Sequence, residues 1–177
     1  MIEVRRAGPQ DGDVLGEIHV AAWAAAYVPF FEAEFAARAL RDRRGRWHAR
    51  VGAGPETVLL ATFDGRPLAL SFFGPSADRP GLGEIHSFYG HPDGWGSGIA
   101  GALMDETLRL LREEGADGAH LWTLRDTPRS RRFYVKAGFT ETGAQRPHDF
   151  GDGSPLTQVE YGIRTDRSRA AVGRFPD

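Results

Sequence analysis

The chain has 177 residues, of which 41% are hydrophobic and 26% charged, as expected for one globular domain. Its net charge of −2 gives no reason to expect a nucleic-acid partner, and the lack of cysteine excludes disulfides, thiolate nucleophiles and zinc–thiolate sites. The N-terminal segment MIEVRR lacks the apolar core of a signal peptide, and no apolar run approaches the ~20 residues of a membrane span. We therefore expect a cytoplasmic protein with no membrane partner.

The first half of the chain predicts one strand, two helices and a run of three strands. Apolar residues at helical spacing follow the first strand, and Pro29 ends that first helix. Asp64-Gly65 between two apolar runs is typical of a hairpin turn. The predicted elements are a strand at 2–6, a helix from about 14 to 28, a helix from 31 towards 50, and strands at 57–63, 67–74 and 83–90.

Arginines are frequent along the predicted second helix, and two interpretations of them remain open. They could bind phosphates, or they could form a solvated helix face, and we favour the solvated face. The residues are Arg38, Arg41, Arg43, Arg44 and Arg46.

The second half predicts alternating helices and strands. A strand, a long helix and a strand at 84–124 predict a parallel pair, whereas the hairpins predict antiparallel pairs. The sum is an α/β (α+β) fold with a mixed, mostly antiparallel sheet. The predicted elements are a helix at 98–114, a strand at 119–124, a helix from 128 to 137, and strands at 139–143 and 156–163. We expect a domain at 1–164 and a polar, mobile tail at 165–177.

A glycine-rich turn, HPDGWGSGIA at 91–100, joins a strand to the long helix. Gly96 and Gly98 allow a ligand to approach the backbone, and amides at a helix N-terminus attract a diphosphate. Residues 96–101 also match the G-x-G-x-x-G pattern of dinucleotide-binding folds. Too little chain follows for a second nucleotide-binding half, so a nucleotide-dependent oxidoreductase remains a minor hypothesis.

Three segments in order, GEIHSFYGHP at 83–92, WGSGIA at 95–100 and LWTLRDTPRSRRFYVKAGF at 121–139, resemble the GNAT N-acetyltransferase superfamily. The resemblance implies about seven strands, splayed between strands 4 and 5, and about four helices. It implies an enzyme that moves acetyl from acetyl-CoA, its co-substrate, to a primary amine of a small molecule, antibiotic, peptide or protein. A non-catalytic acyl-CoA-binding module is the alternative, and the resemblance also allows a homodimer.

The resemblance implies a cofactor site in which strand-four backbone binds the pantetheine arm and turn amides bind the pyrophosphate. Trp95 departs from the Arg or Gln usual at its position, and Thr127 from the usual Asn. Gly90 stands where a branched apolar residue is common. The implied residues are Phe88, Tyr89, Gly90, Trp95, Gly96, Ser97, Gly98, Ile99, Ala100, Thr127, Ser130 and Phe133.

Tyr134 matches the general acid of the family, which protonates the departing CoA thiolate, although a tyrosine here could also belong to the core. An alkyl ammonium titrates near ~10, so the acceptor needs a base. Glu84 and His86 share one strand face by two-residue alternation and are the candidates. Glu84 could instead be a strand-edge acid, and His86 a packed sheet histidine.

The resemblance places the acceptor pocket between two loops. The first carries four aromatic side chains that could attract an ammonium or could simply pack a helix on the sheet. These are Trp23, Tyr27, Phe30 and Phe31. The second loop, 145–155, has two acids that could attract an amine, or it could be an ordinary hairpin. No metal site is predicted.

Overall fold

The computed structural model describes residues 1–164, which form one seven-stranded sheet with helices on both faces. The predicted tail at 165–177 lies outside the described residues. The strands are β1 (Ile2–Arg6), β2 (Thr57–Phe63), β3 (Arg66–Pro75), β4 (Gly83–Gly90), β5 (Gly118–Leu124), β6 (Thr140–His148) and β7 (Leu156–Arg164). The helices are α1 (Gly12–Tyr27), α2 (Ala33–Gly45), α3 (Trp47–Arg50), α4 (Ile99–Glu113) and α5 (Pro128–Lys136).

The strand order is β1-β2-β3-β4-β5-β7-β6, and every neighbouring pair except β4–β5 is antiparallel. The parallel pair is short, because only Gly83 and Glu84 of β4 are in register with Ala119 and His120 of β5. Beyond Glu84 the two strands separate. The predicted mixed sheet, splayed between strands 4 and 5, is confirmed.

A β-bulge lies in β4 where the two strands begin to separate. The β3–β4 register changes from Phe72 opposite Ser87 to Phe73 opposite Ile85, which leaves His86 as the extra residue. Bulges bend a strand and increase its local twist, so this one directs the end of β4 away from β5.

The helices cover the two faces of the sheet with separate apolar clusters. On one face, the apolar side of α4 packs on the sheet, and Leu103 and Met104 are almost fully buried. On the other, Leu15 and Ile18 of α1 pack with Trp47 against β2 and β3. Each such buried side chain contributes roughly 1.5–3 kcal/mol of transfer free energy.

Two predicted boundaries were wrong. The second helix does not continue to Arg50, because the chain turns at Arg46 and a separate short helix places Trp47 in the core. Gly45 favours the break, since glycine is a poor helix former. The sixth strand does not end at Gly143 but continues to His148.

Gly143 explains why the predicted end of β6 was too early. It has φ of 88° and lies within a register shift between Glu141 and Gln145, after which pairing with β7 resumes. Arg146 and His148 therefore belong to a strand, and the loop between β6 and β7 spans only 149–155.

Glu160 is the centre of a buried polar network on β7. Its carboxylate accepts hydrogen bonds from Arg79 (3.1 and 3.0 Å) and from the Thr142 hydroxyl (2.7 Å). The His120 Nδ1 atom lies 3.0 Å from the Glu160 Oε1 atom. Burial opposes ionisation of Glu160, but the bonds from Arg79 and Thr142 outweigh it and hold its pKa below the usual range.

Because its pKa is depressed, Glu160 stabilises the fold above ~pH 4.3, the usual glutamate pKa, and that contribution is lost as pH falls further. We expect Glu160→Gln to lower the free energy of unfolding by ~1–3 kcal/mol at pH 7, with the difference from wild type shrinking near pH 3. Urea unfolding across this range tests it, with exposed Glu34→Gln as control. If the difference in free energy of unfolding between wild type and Glu160→Gln stays constant with pH, the ionised carboxylate does not stabilise the fold.

Candidate active site

A cavity of about 500 Å³ opens where β4 separates from β5. It lies between the end of β4, the glycine-rich turn, α5 and the C-terminal part of α1. A volume of this size suits a small-molecule ligand. Most of the predicted cofactor residues line it: Phe88, Tyr89, Gly90, Trp95, Gly96, Gly98, Ile99, Ala100, Ser130 and Phe133.

The glycine-rich turn presents backbone to this cavity. Gly96 and Gly98 have φ of 82° and 86°, which is the left-handed region that favours glycine. A Cβ at Gly96 would meet no atom within 4 Å, so the backbone is open on that side. Gly98 caps α4 without a side chain, and the amides of the first turn form a suitable anion site.

Two predicted cofactor residues have other local partners. The Ser97 hydroxyl donates to the Gly94 carbonyl (2.7 Å) and accepts from the Ile99 amide (3.3 Å), so it closes the turn. The Thr127 hydroxyl is buried and donates to the Leu124 carbonyl at 2.7 Å. Neither side chain lines the cavity. Ser97 holds the glycine-rich turn, whose backbone lines the cavity, and Thr127 holds the chain just before α5.

Arg129 lies over the Trp95 ring, with its guanidinium carbon 3.4 Å from the ring centroid. The Trp95 indole in turn donates to the Gly90 carbonyl at 3.3 Å, which connects the turn to the end of β4. Both side chains line the cavity. A guanidinium therefore stands beside the turn even though the turn itself carries tryptophan.

Tyr134 reaches the cavity from α5. Its ring packs against Phe133, Phe139 and Tyr161, with centroids 5.5–6.0 Å apart. Among residues 1–164 its hydroxyl has no hydrogen-bond partner, although the residue is only 8% exposed. Burial, with a smaller contribution from Tyr89, raises its pKa. The phenol is therefore protonated at neutral pH.

Tyr89 is fixed from behind by a buried histidine. The His19 ring stacks on it at a centroid distance of 4.1 Å, and His19 Nδ1 accepts from the Trp47 indole at 3.1 Å. Burial lowers the pKa of His19 to about 3, and nearby arginines add to the effect. A neutral imidazole thus supports the end of β4, where the cavity begins.

Glu84 and His86 lie together but outside this cavity. The Glu84 carboxylate is 3.6 Å from His86 Nδ1 and 3.8 Å from His120 Nε2. The group occupies the point where β4 and β5 part, on the face opposite α4. His120 also bonds to the Ser76 hydroxyl at 2.7 Å, which holds its ring in place.

The profile of the Acetyltransferase (GNAT) family matches residues 19–139, more than half of the chain. The chain belongs to this acetyltransferase family. The predicted membership is confirmed, and so is the expectation of an enzyme. An uncharacterised N-acetyltransferase of Archaeoglobus fulgidus is 27% identical to this GNAT protein over 161 residues, which cover 86% of the chain and 99% of the relative.

Two solved structures share the fold of this GNAT protein. The PaiA N-acetyltransferase of Thermoplasma acidophilum, in complex with coenzyme A, has a TM-score of 0.69 and 19% identity, covering 90% of this chain and 98% of its own. YncA of Salmonella typhimurium, with its cofactor acetyl-CoA, has a TM-score of 0.67 and 23% identity, covering all of this chain and 98% of its own. Both likenesses support the GNAT fold.

The aromatic residues predicted for the acceptor side of this acetyltransferase are not equivalent. Tyr27 lines the cavity. Trp23 is 1% exposed, packs on Phe31 at 5.3 Å, and has the Arg43 guanidinium 4.3 Å from its ring. Phe30 lies in a short 3-10 turn at 28–30 and does not line the cavity.

Sequence reasoning missed Arg129 as a cavity residue of the GNAT protein. One signal was present, because Arg129 is in the first turn of a helix that begins at Pro128, where a positive charge opposes the helix dipole. Residues that violate such a local structural preference often have a functional role. Lys136 also lines the cavity and was likewise not predicted.

No helix among residues 1–164 is long and apolar enough to cross a membrane. In the same part of the chain, no cluster of three or more histidine, aspartate or glutamate side chains could hold a metal ion.

Proposed function

We propose that this GNAT protein transfers acetyl from acetyl-CoA to a primary amine by direct attack, and that the 500 Å³ cavity binds acetyl-CoA. The observation that carries the proposal is the meeting of three features in that cavity. These are the separated end of β4, the open backbone of Gly96 and Gly98, and the free hydroxyl of Tyr134. The relatives solved with coenzyme A and acetyl-CoA support it.

In this proposal the turn and β4 bind different parts of acetyl-CoA. The first amides of α4 bind the pyrophosphate, and Arg129 adds positive charge beside it. The pantetheine arm lies along residues 86–90, where β4 has no strand partner on the β5 side. Its amides can pair with the strand backbone there.

The chemistry then needs one base, one oxyanion donor and one acid. Glu84, or His86, accepts the ammonium proton, directly or through water, and the amine nitrogen attacks the thioester carbonyl. A backbone amide near Tyr89 or Gly90 donates to the oxyanion. As the C–N bond forms and the C–S bond breaks, Tyr134 gives its proton to the leaving sulfur. The chain has no cysteine, so no cysteinyl acetyl-enzyme forms.

Thiol release tests the proposed function. The protein is incubated with acetyl-CoA and a panel of primary amines, and free thiol is measured with and without each amine. Amine-dependent release supports the transferase. Thermal stabilisation by acetyl-CoA, without release for any amine, would instead favour the acyl-CoA-binding module. Stabilisation by NAD(P) alone would contradict both.

We expect Arg129→Ala to raise the Kd of acetyl-CoA ~5–30-fold, because a charge-assisted contact to phosphate contributes ~1–2 kcal/mol and 1.4 kcal/mol is tenfold. Calorimetry measures the change. Arg132→Ala is the matched control, since Arg132 is exposed on the same helix and does not line the cavity. Equal affinities of the two variants would remove Arg129 from the phosphate site.

A further inference from the structure

Three arginines lie along the junction between α2 and α3. Arg43 is in the last turn of α2, Arg46 is the residue between the two helices, and Arg50 is the last residue of α3. Within residues 1–164 none of the three forms an ion pair. Two other arginines of α2, Arg38 and Arg44, do so with Glu34 and Glu17.

The arginine row (Arg43, Arg46 and Arg50) is partly buried. Arg43 is 8% exposed, donates to the Ala39 carbonyl at 3.0 Å and stacks on Trp23. Arg50 lies over Trp47 and Phe72, 5.4 and 5.5 Å from their ring centroids. Burial lowers the pKa of Arg43 and of Arg50. Cations in such places are unfavourable unless an anion compensates them.

Arg43 and Arg46 of the row line a second cavity, of about 520 Å³, between α2 and the β6–β7 loop. The cavity is small-molecule sized and its charge is mainly positive. Asp149 is already engaged, because its carboxylate accepts from the Gly151 and Gly153 amides at 2.7 and 3.1 Å. The charged lining residues are Arg38, Arg41, Asp42, Arg43, Arg46 and Asp149.

This second cavity adjoins the proposed acetyl-transfer site. Phe150 lines it and contacts Tyr27, which lines the first cavity, at a centroid distance of 6.0 Å. All three arginines of the row are near enough to Tyr89 to oppose the rise in its pKa that burial causes. At the Arg50 end of the row, the Phe72 ring lies between Arg50 and His86. The centroids of the Phe72 and His86 rings are 5.3 Å apart.

We propose that the acceptor is an amine that also carries an anionic group, a carboxylate or a phosphonate, and that the arginine row binds that group. The inference rests on the proposed function, since it names the acceptor class of the same site. Guanidinium groups match these anions with paired hydrogen bonds. The anion would then compensate the row while the amine faces Tyr89 and the thioester.

Three amines test this, each with a three-carbon chain on the nitrogen that ends in hydrogen, a carboxylate or a phosphonate: propylamine, 4-aminobutanoate and 3-aminopropylphosphonate. With wild type, we expect kcat/KM for one or both anionic amines to exceed that for propylamine ~10–100-fold, as for a charge-assisted contact. Arg46→Gln should reduce this ratio to near one, whereas Arg44→Gln should retain it. A wild-type preference for propylamine, or an unchanged ratio in Arg46→Gln, would overturn the proposal.

A binding measurement separates failure of this inference from failure of the proposed function. Methylphosphonate and acetate are titrated by calorimetry into protein saturated with CoA, so that the pyrophosphate site is filled. We expect binding of one or both by wild type and Arg44→Gln, and weaker binding by Arg46→Gln. If no amine is acetylated but this pattern holds, the transferase proposal fails and the anion site stands. If propylamine is acetylated and neither anion binds, the transferase proposal stands and the anion site fails.

Discussion

Replacing Tyr134 with phenylalanine is expected to lower kcat ~10²–10⁴-fold, with little change in the Kd of acetyl-CoA. The hydroxyl is the only group removed, and among residues 1–164 it has no hydrogen-bond partner to lose. The ring contacts with Phe133, Phe139 and Tyr161 remain. Single-turnover kinetics and calorimetry on one preparation separate the chemical step from binding.

Tyr161→Phe is a suitable control for that experiment. Tyr161 is buried in the same aromatic cluster, but its hydroxyl bonds to Arg131 and Glu141 and does not line the cavity. Its loss should lower stability slightly and leave kcat within a few-fold of wild type. If both variants behave alike, Tyr134 contributes packing and another group protonates the thiolate.

The second large effect is expected for Glu84→Gln, which should lower kcat/KM ~10²-fold near pH 7. Without a base only the free amine reacts, and alkyl amines titrate near ~10, so the variant should recover as pH rises. The pH–rate profile should therefore shift to higher pH. The measurement is kcat/KM from pH 6 to 10, alongside His86→Gln.

The two variants distinguish the candidate bases, which lie only 3.6 Å apart. If His86→Gln shows the shift and Glu84→Gln does not, the histidine is the base. If neither profile moves, no side chain of this pair removes the proton. Far-ultraviolet circular dichroism on both variants checks that the overall secondary structure is retained.

Most of the sheet could be predicted because local signals agreed with the tertiary structure. β1, β2 and β4 have the predicted bounds, and the Asp64-Gly65 turn joins β2 to β3 as expected. The long helix α4, Ile99–Glu113, lies within the predicted 98–114. In these elements alternation, helical spacing and turn residues all favoured the same outcome.

The wrong boundaries have tertiary causes. Gly143 is typical of a strand end, yet here it belongs to a register shift that β7 bridges by pairing on both sides. Arg46 continues a helical pattern, yet the burial of Trp47 turns the chain there. Neither effect is visible without knowledge of the neighbouring strand or core.

The parts of the site that local sequence motifs determine could be predicted. The parts that depend on how side chains pack in the tertiary structure could not. The glycine turn and Tyr134 follow from sequence order, and the structure brings them to one cavity. The solvated interpretation of the arginines fits Arg38, Arg41 and Arg44, which are exposed. It fails for Arg43, which follows the buried Ala36 and Ala39 along the inner side of α2.

The ladder between β4 and β5 has only two residue pairs, so the end of β4 has no strand partner on that side, and the proposed function places the co-substrate there. Pantetheine carries two amides along an extended chain and can complete the sheet there by β-augmentation, as peptides do in other proteins. Substitutions that extend the pairing between β4 and β5 would thus stabilise the ligand-free protein. The added pairing would compete with acetyl-CoA for the same strand backbone.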